Sequence, residues 1–97
     1  MVLIIAGFTE VDPAHRDDAV TALHDLVRRG RRAPGCLDLA ITADPLDPAR
    51  INVYERWESS DHLERWRAVA DAPDIGVAIT SDHTRRYEVT GERSPFG

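Results

Sequence analysis

The order of the periodic segments predicts an α+β fold of the ferredoxin-like type, a four-stranded antiparallel sheet with both helices on one face. Segments that alternate apolar and polar residues, as strands do, are interleaved with two segments of helical periodicity, in the order β-α-β-β-α-β. The length of 97 residues suits one domain with a modest core. We therefore expect a single domain over residues 1–97, with residues 91–97 as a mobile tail.

The first half of the chain predicts one strand and one helix. Val2 to Glu10 is apolar and rich in strand-forming residues. Asp12 offers an N-cap and Pro13 suits the first helical position. The helix is expected to fade at Gly30 and to end before Pro34. Its core-facing residues recur at helical spacing: Val20, Leu23 and Val27.

The second half predicts a hairpin, a helix and a last strand. Cys36 to Thr42 and Ile51 to Trp57 alternate again and flank a turn rich in Asp and Pro, which predicts an antiparallel pair. The second helix should run to about Ala70. Asp74 to Ser81 fits a short helix or a turn, and Thr84 to Thr90 is the predicted last strand. The N-cap candidates of the second helix are Ser59, Ser60 and Asp61.

Composition excludes several classes of function. The net charge of -5 argues against a nucleic-acid partner, and no apolar run is long enough for a transmembrane helix. The first residues lack the basic region of a signal peptide.

Cys36 is the single cysteine, which fits a reducing cytoplasm. The basic run Arg28 to Arg32 is expected to be a solvated helix C-terminus. We expect a cytoplasmic protein with no nucleic-acid or membrane partner.

Both tryptophans lie in the stretch YERWESSDHLERW, nine residues apart. In a single helix this spacing would place them on opposite faces. A strand, a break near Glu58 and a helix instead place Trp57 on the strand face of Val53, and Trp66 on the helix stripe of Leu63. Both rings are then predicted to border one space between sheet and helices, either core or pocket.

Glu55 shares that strand face, where a charge is costly unless it is paired or reached by water. It could line a polar corner of a pocket, or lie exposed at the end of the sheet. It could also pair with one of three arginines: Arg65, Arg67 or Arg86.

The other face of the sheet carries apolar positions that no helix of so short a chain covers. Tyr54 and Asn52 lie on this face and are expected to meet a partner sheet. This arrangement predicts a homodimer.

Four motifs carry a resemblance to a known family. They are Pro34-Gly35-Cys36 at the start of the second strand, Asp44-Pro45 in the hairpin, Tyr54 to Ser59 at the strand-to-helix junction, and Arg85 to Val89 at the end. With these motifs the sequence resembles the antibiotic biosynthesis monooxygenases over nearly its whole length.

The resemblance implies a dimeric α/β barrel in which two ferredoxin-like protomers pack sheet against sheet. Each protomer would keep a pocket between its sheet and helices. Members of the family oxidise phenols, anthrones or quinols with O₂, without flavin, haem or metal. The expected partners are thus a small aromatic substrate and O₂, with no cofactor and no metal.

The polar residues of the quinone-forming members are not all present. The position of their asparagine is Val53, and that of their tyrosine is Leu63. Two alternatives therefore stay open: an isomerase or lyase on the same barrel, and a non-catalytic protein that binds small molecules. Haem-degrading relatives share Trp66, but the position of their iron ligand is Gly76, so no haem is expected.

The candidate site residues follow from these placements. The catalytic candidates are Glu55 and two histidines, which titrate near neutral pH, His62 at the start of the second helix and His83 before the last strand. The candidate pocket residues are Trp57, Trp66, Val53, Leu63 and His24.

Overall fold

The structure, a computed structural model, describes all residues 1–97. A 3₁₀ turn over Pro13–His15 precedes the first α-helix. The elements are β1 (Leu3–Val11), α1 (Arg16–Ala22), α2 (His24–Arg31), β2 (Cys36–Ala43), β3 (Arg50–Trp57), α3 (Ser60–Val69), β4 (Ile79–Asp82) and β5 (Arg85–Glu88).

The five strands form one antiparallel sheet in the order β2-β3-β1, with β4 and β5 pairing in succession along the free edge of β1. The sheet is open, and the helices pack against β2 and β3. The predicted ferredoxin-like fold is confirmed. None of the helices is long and apolar enough to cross a membrane.

The last strand differs from the prediction, because it is split into β4 and β5. Gly7 of β1 explains the break: its φ is 141°, and a Cβ there would lie 2.2 Å from the carbonyl oxygen of His83. The chain therefore departs from β1 at His83, whose N–H still donates to Phe8 O at 2.8 Å. The segment assigned to a helix or turn, Asp74 to Ser81, instead has no helix and enters β4 at Ile79.

The first predicted helix is also interrupted. Asp12 caps the 3₁₀ turn that precedes α1, with Oδ1 accepting from Ala14 N at 2.9 Å. The α-helix that follows stops at Ala22, and α2 begins at His24.

The expectation that the helix fades at Gly30 and ends before Pro34 is confirmed to within one residue, because α2 ends at Arg31 with Arg32 as its C-cap. Gly30 is buried inside α2, because the helix packs there so closely on β2 and α3 that no side chain fits.

The β2–β3 hairpin is confirmed, and a buried arginine holds its loop. Arg16 of α1 is 9% exposed. Its Nη1 donates to the carbonyl oxygens of Asp47 at 2.9 Å and Arg50 at 2.8 Å. Carbonyl acceptors offset the cost of burying this guanidinium, and its Nε pairs with the exposed Asp17 at 2.7 Å. The loop is thereby fixed to the helical layer.

The α3 helix has the predicted bounds. Its N-cap is Ser59, whose Oγ accepts a hydrogen bond from His62 N at 3.2 Å. The helix ends at Val69, one residue before the predicted limit.

The core between sheet and helices consists of two clusters. The first lies towards the start of β1 and contains Leu3, Ile5, Leu39, Trp57, Leu63 and Trp66. The second lies towards the end of β1 and contains Val11, Ala19, Val20 and Ile51.

The other face of the sheet has no covering layer in one chain. It carries Ile4, Ala6, Phe8 and Tyr54, all partly exposed, and Tyr87, which is 53% exposed. These residues define what we call the open face.

We predict that Gly30→Ala destabilises the protein. A Cβ would lie 2.8 Å from Leu39 Cδ1 and 3.2 Å from the Trp66 ring. Overpacking of this kind costs about 1–3 kcal/mol, which exceeds the gain in helix propensity of at most about 1 kcal/mol. Urea unfolding measures the difference. Gly91→Ala is the control, because nothing lies within 4 Å of its Cβ position; equal stability of the two variants would refute the packing argument.

Candidate functional site

The centre of the sheet is incompletely covered on its helical side. Along β1 the first core cluster ends at Ile5 and the second resumes at Val11, and along β3 they are separated by Val53 and Glu55. Val53 faces the helices in the middle of a central strand, yet it is only partly buried and packs in neither cluster. We call this gap, with Val53 and Glu55 on its floor, the central cleft; it is separate from the four pockets of the surface, none of which is lined by either residue.

The two tryptophans form one end of the central cleft. The rings of Trp57 and Trp66 stack with centroids 6.3 Å apart and planes at 24°. Trp57 is 0% and Trp66 8% exposed, so the pair belongs to the core. The strand–break–helix interpretation is thus confirmed, whereas Trp57 and the fully buried Leu63 are core residues with no exposed surface to offer a ligand.

Glu55 is held by the indole of Trp57. The Nε1–H of Trp57 donates to Oε1 of Glu55 at 3.0 Å. A buried indole N–H needs an acceptor and a partly buried carboxylate needs a donor, so each satisfies the other. The other carboxylate oxygen makes no hydrogen bond within the chain and is not sealed from solvent. Glu55 thus presents one oriented, free oxygen at the cleft.

The predicted ion pair between Glu55 and an arginine is not formed. Arg67 and Arg86 both contact Glu64 instead, at 3.6 Å and 3.2 Å. Arg65 points into a separate groove beside α3.

Neither a metal cluster nor a reactive thiol adds to the site. No group of three or more His, Cys, Asp or Glu side chains is arranged to hold a metal ion. Burial, followed by the negative charges of Asp38 and Glu55, raises the pKa of the Cys36 thiol, so the thiolate is scarce at neutral pH.

His83, a predicted catalytic residue, lies on the opposite side of the sheet from Glu55. Its ring stacks on Phe8 of the open face, with centroids 4.5 Å apart, and its Nε2 lies 3.6 Å from Glu10 Oε1. Arg50 covers the same phenyl ring, with Cζ 3.8 Å from its centroid. His83 therefore cannot act on a molecule in the central cleft of its own chain.

The other two histidines also lie outside the cleft. His62 is at the start of α3, where Ser59 Oγ lies 2.7 Å from its Nδ1. His24 is exposed and borders a groove between α2 and β2 that is rich in arginine. Of the eight predicted site residues, the structure places Val53 and Glu55 on the floor of the cleft and Trp57 and Trp66 at its end.

Sequence reasoning missed Gly7, where a φ of 141° and the lack of a side chain let the backbone of His83 and Thr84 pass close to β1. A signal was present: a glycine inside a strand pattern often marks a bulge or a close approach of backbone.

The geometry defines a class of protein, a small α+β domain with an open antiparallel sheet, helices on one face and one oriented carboxylate, Glu55, between two core clusters. Residues 1–72 match the sequence profile of the family described as antibiotic biosynthesis monooxygenase. The chain belongs to this family.

Solved structures share the fold. A proposed antibiotic biosynthesis monooxygenase from Deinococcus radiodurans superposes with a TM-score of 0.82 at 17% identity, over 100% of both chains. Another from Chloroflexus aurantiacus J-10-fl has a TM-score of 0.76 at 22% identity, over 97% of this chain and 98% of that one. Rv0793 from Mycobacterium tuberculosis has a TM-score of 0.69 at 19% identity, over 96% and 98%. A search of curated proteins found no match.

We predict that Trp66→Ala lowers the free energy of unfolding by about 3–5 kcal/mol, because it removes a core indole that stacks on Trp57. Val69→Ala on the same helix is the control. Val69 is 68% exposed, so its loss should change stability by less than about 0.5 kcal/mol. Chemical denaturation measures both, and a small effect at Trp66 would show that the ring does not support the core.

Proposed function

We propose that the protein is a cofactor-independent monooxygenase that oxidises a small electron-rich aromatic compound, such as a phenol, anthrone or quinol, with O₂. The observation that carries this proposal is Glu55, a partly buried carboxylate that an indole N–H orients between two apolar core clusters. Family membership supplies the reaction class, and the cleft supplies a place and a base for it.

The chemistry balances without a bound cofactor. Glu55 takes the acidic proton of the substrate, and the resulting anion gives one electron to O₂. The aryl radical and superoxide combine at a ring carbon to form a peroxide, which takes the proton back from Glu55. Loss of water then leaves a carbonyl, so the substrate loses two hydrogens and gains one oxygen atom. The second oxygen leaves as water.

The protein would contribute orientation, a base and exclusion of water. Apolar walls favour a flat aromatic molecule, and Val53 leaves room above the middle of β3. The hydrogen bond from Trp57 fixes one oxygen of Glu55, which leaves the other aimed at the substrate. The stacked tryptophans close the cleft at one end.

We predict that Glu55→Gln lowers kcat for quinol or anthrone oxidation by about 10²–10⁴-fold, the range expected for loss of a general base. The amide oxygen of glutamine still accepts from the Trp57 indole, so folding should be unchanged. Oxygen uptake and quinone absorbance measure the rate in the presence of a metal chelator.

Glu88→Gln is the matched control, because Glu88 is exposed on β5 and makes no ion pair. Its rate should equal that of the unmodified protein. If the unmodified protein binds quinols without consuming O₂, the non-catalytic binding function is correct instead. Product formed without O₂ uptake would indicate an isomerase or lyase.

We further propose that two copies pack through the open face to form the barrel. The face carries partly exposed apolar residues that no helix covers, including Ile4 and Tyr54. A second sheet packed on this face would remove these apolar groups from water.

We predict a dimer by light scattering at micromolar concentration, with an interface above about 1,000 Å² in total. Tyr54→Asp should give a folded monomer, because it places a charge at the centre of the contact. Tyr87→Asp, at the more exposed edge, should weaken the dimer less. A monomeric unmodified protein would refute the proposal.

A further inference from the structure

We infer that a second small-molecule site, for an aromatic carboxylate, lies beside α3 and apart from the central cleft. A groove of about 270 Å³ lies between α3 and the loop that joins α2 to β2. We call it the α3 groove; it is lined by Ala33, Pro34, His62, Arg65, Trp66 and Val69.

Helical spacing explains the composition of the α3 groove. Its four α3 residues lie at i, i+3, i+4 and i+7, so they form one stripe along the helix. Trp66 and Val69 make the stripe apolar, and Pro34 faces them across the groove. Val69 is 68% exposed, so its side chain is open to a ligand. A flat apolar ligand fits this surface.

The cationic group of the groove has no partner in the chain. Arg65 forms no ion pair and no hydrogen bond, whereas Arg67 on the neighbouring face contacts Glu64 at 3.6 Å. No carboxylate lines the groove. In a chain of net charge -5, an unpaired guanidinium beside an apolar wall favours a ligand with a negative charge.

His62 is held in place as a second donor. Ser59 Oγ accepts from His62 N at 3.2 Å and lies 2.7 Å from Nδ1 of the same residue, which fixes the ring. In the tautomer in which the hydroxyl donates to Nδ1, the proton of neutral histidine is on Nε2, which is then a donor. The ring packs on Gly35, where a Cβ would lie 2.2 Å from its Cγ. The exposed Glu58 is 3.9 Å from Nε2, beyond hydrogen-bond range.

Together these features match one ligand class. A guanidinium and an imidazole N–H suit the two oxygens of a carboxylate, and the apolar stripe suits an aromatic ring. Because His62 is fixed before binding, less conformational entropy is lost on binding. The α3 groove does not contain Glu55 or Val53, so its occupancy does not depend on the proposed oxidation.

The probe is 2-naphthoate, titrated calorimetrically and by NMR into the ¹⁵N-labelled protein. We expect saturable one-to-one binding, with the largest shifts at the indole N–H of Trp66 and the backbone amide of His62. Trp57→Phe assigns the indole signals. The neutral isostere 2-naphthamide should bind at least about tenfold more weakly, because it cannot form a charge-assisted contact.

Matched variants separate specific from general electrostatic binding. Arg65→Gln should weaken 2-naphthoate binding by about tenfold to a hundredfold, the range expected for a lost charge-assisted hydrogen bond. Arg67→Gln removes the same charge from the same helix and should change the affinity by less than about twofold. Val69→Glu, at an exposed position, should abolish binding without unfolding the protein.

Glu55→Gln distinguishes this site from the central cleft, because it should leave 2-naphthoate binding unchanged even if no oxidation is ever found. Three results would overturn the inference: no saturation at millimolar probe, equal losses in the two arginine variants, or shifts centred on Val53 and Glu55.

Discussion

The stack of Trp57 on Trp66 holds the end of the sheet to α3, and much of the structure depends on it. One ring ends β3 and the other lies in the middle of α3, so their contact sets how the helix lies on the sheet. Gly30 makes room for the Trp66 ring from the side of α2. The guanidinium of Arg29 also approaches that ring, with Cζ 5.8 Å from the centroid. Three elements therefore converge on one indole.

The same stack determines where the sheet is left uncovered. Two indoles fill the space between sheet and helices at one end, and the second core cluster fills it at the other. Between them Val53 and Glu55 follow each other on the helical face of β3, and both are only partly buried. Ile41 of β2 packs against both clusters and joins them at that side. The central cleft thus lies between two well-packed regions, and Glu55 lies at its border because the indole of Trp57 holds it there.

The sequence predicted those elements whose bounds depend on local periodicity. It did not predict features that depend on contacts with residues distant in the chain. Alternation and N-caps gave the hairpin, α3 and the positions of both tryptophans. The split of the last strand could not be read from residues 79–88, because its cause is Gly7 in another strand. The helix does end near Gly30, but the close packing at that glycine could not be predicted, because its packing partner, Trp66, is distant in the chain. The partner of Glu55 was sought among arginines, yet an indole two residues away on the same strand face took that role. His83 lies in a loop, where residues do not alternate between the two faces of the sheet. The sequence therefore could not predict on which face its side chain lies.

The placement of the histidines separates the surfaces of the molecule by role. His83 stacks on Phe8 and lies near Glu10 on the open face, so a second protomer on that face would meet it at the interface and not in a cleft. His62 belongs to the α3 groove, which opens between α3 and the α2–β2 loop and leaves the open face untouched. The central cleft retains Glu55 as its one proton acceptor. The proposed oxidation would then have to start from a substrate acidic enough to give its proton to a carboxylate, and reducing enough to pass an electron to O₂ without further help from the protein. Under that proposal the substrates are aromatic compounds whose anions are strongly delocalised, and exclusion of water by apolar neighbours would suit them.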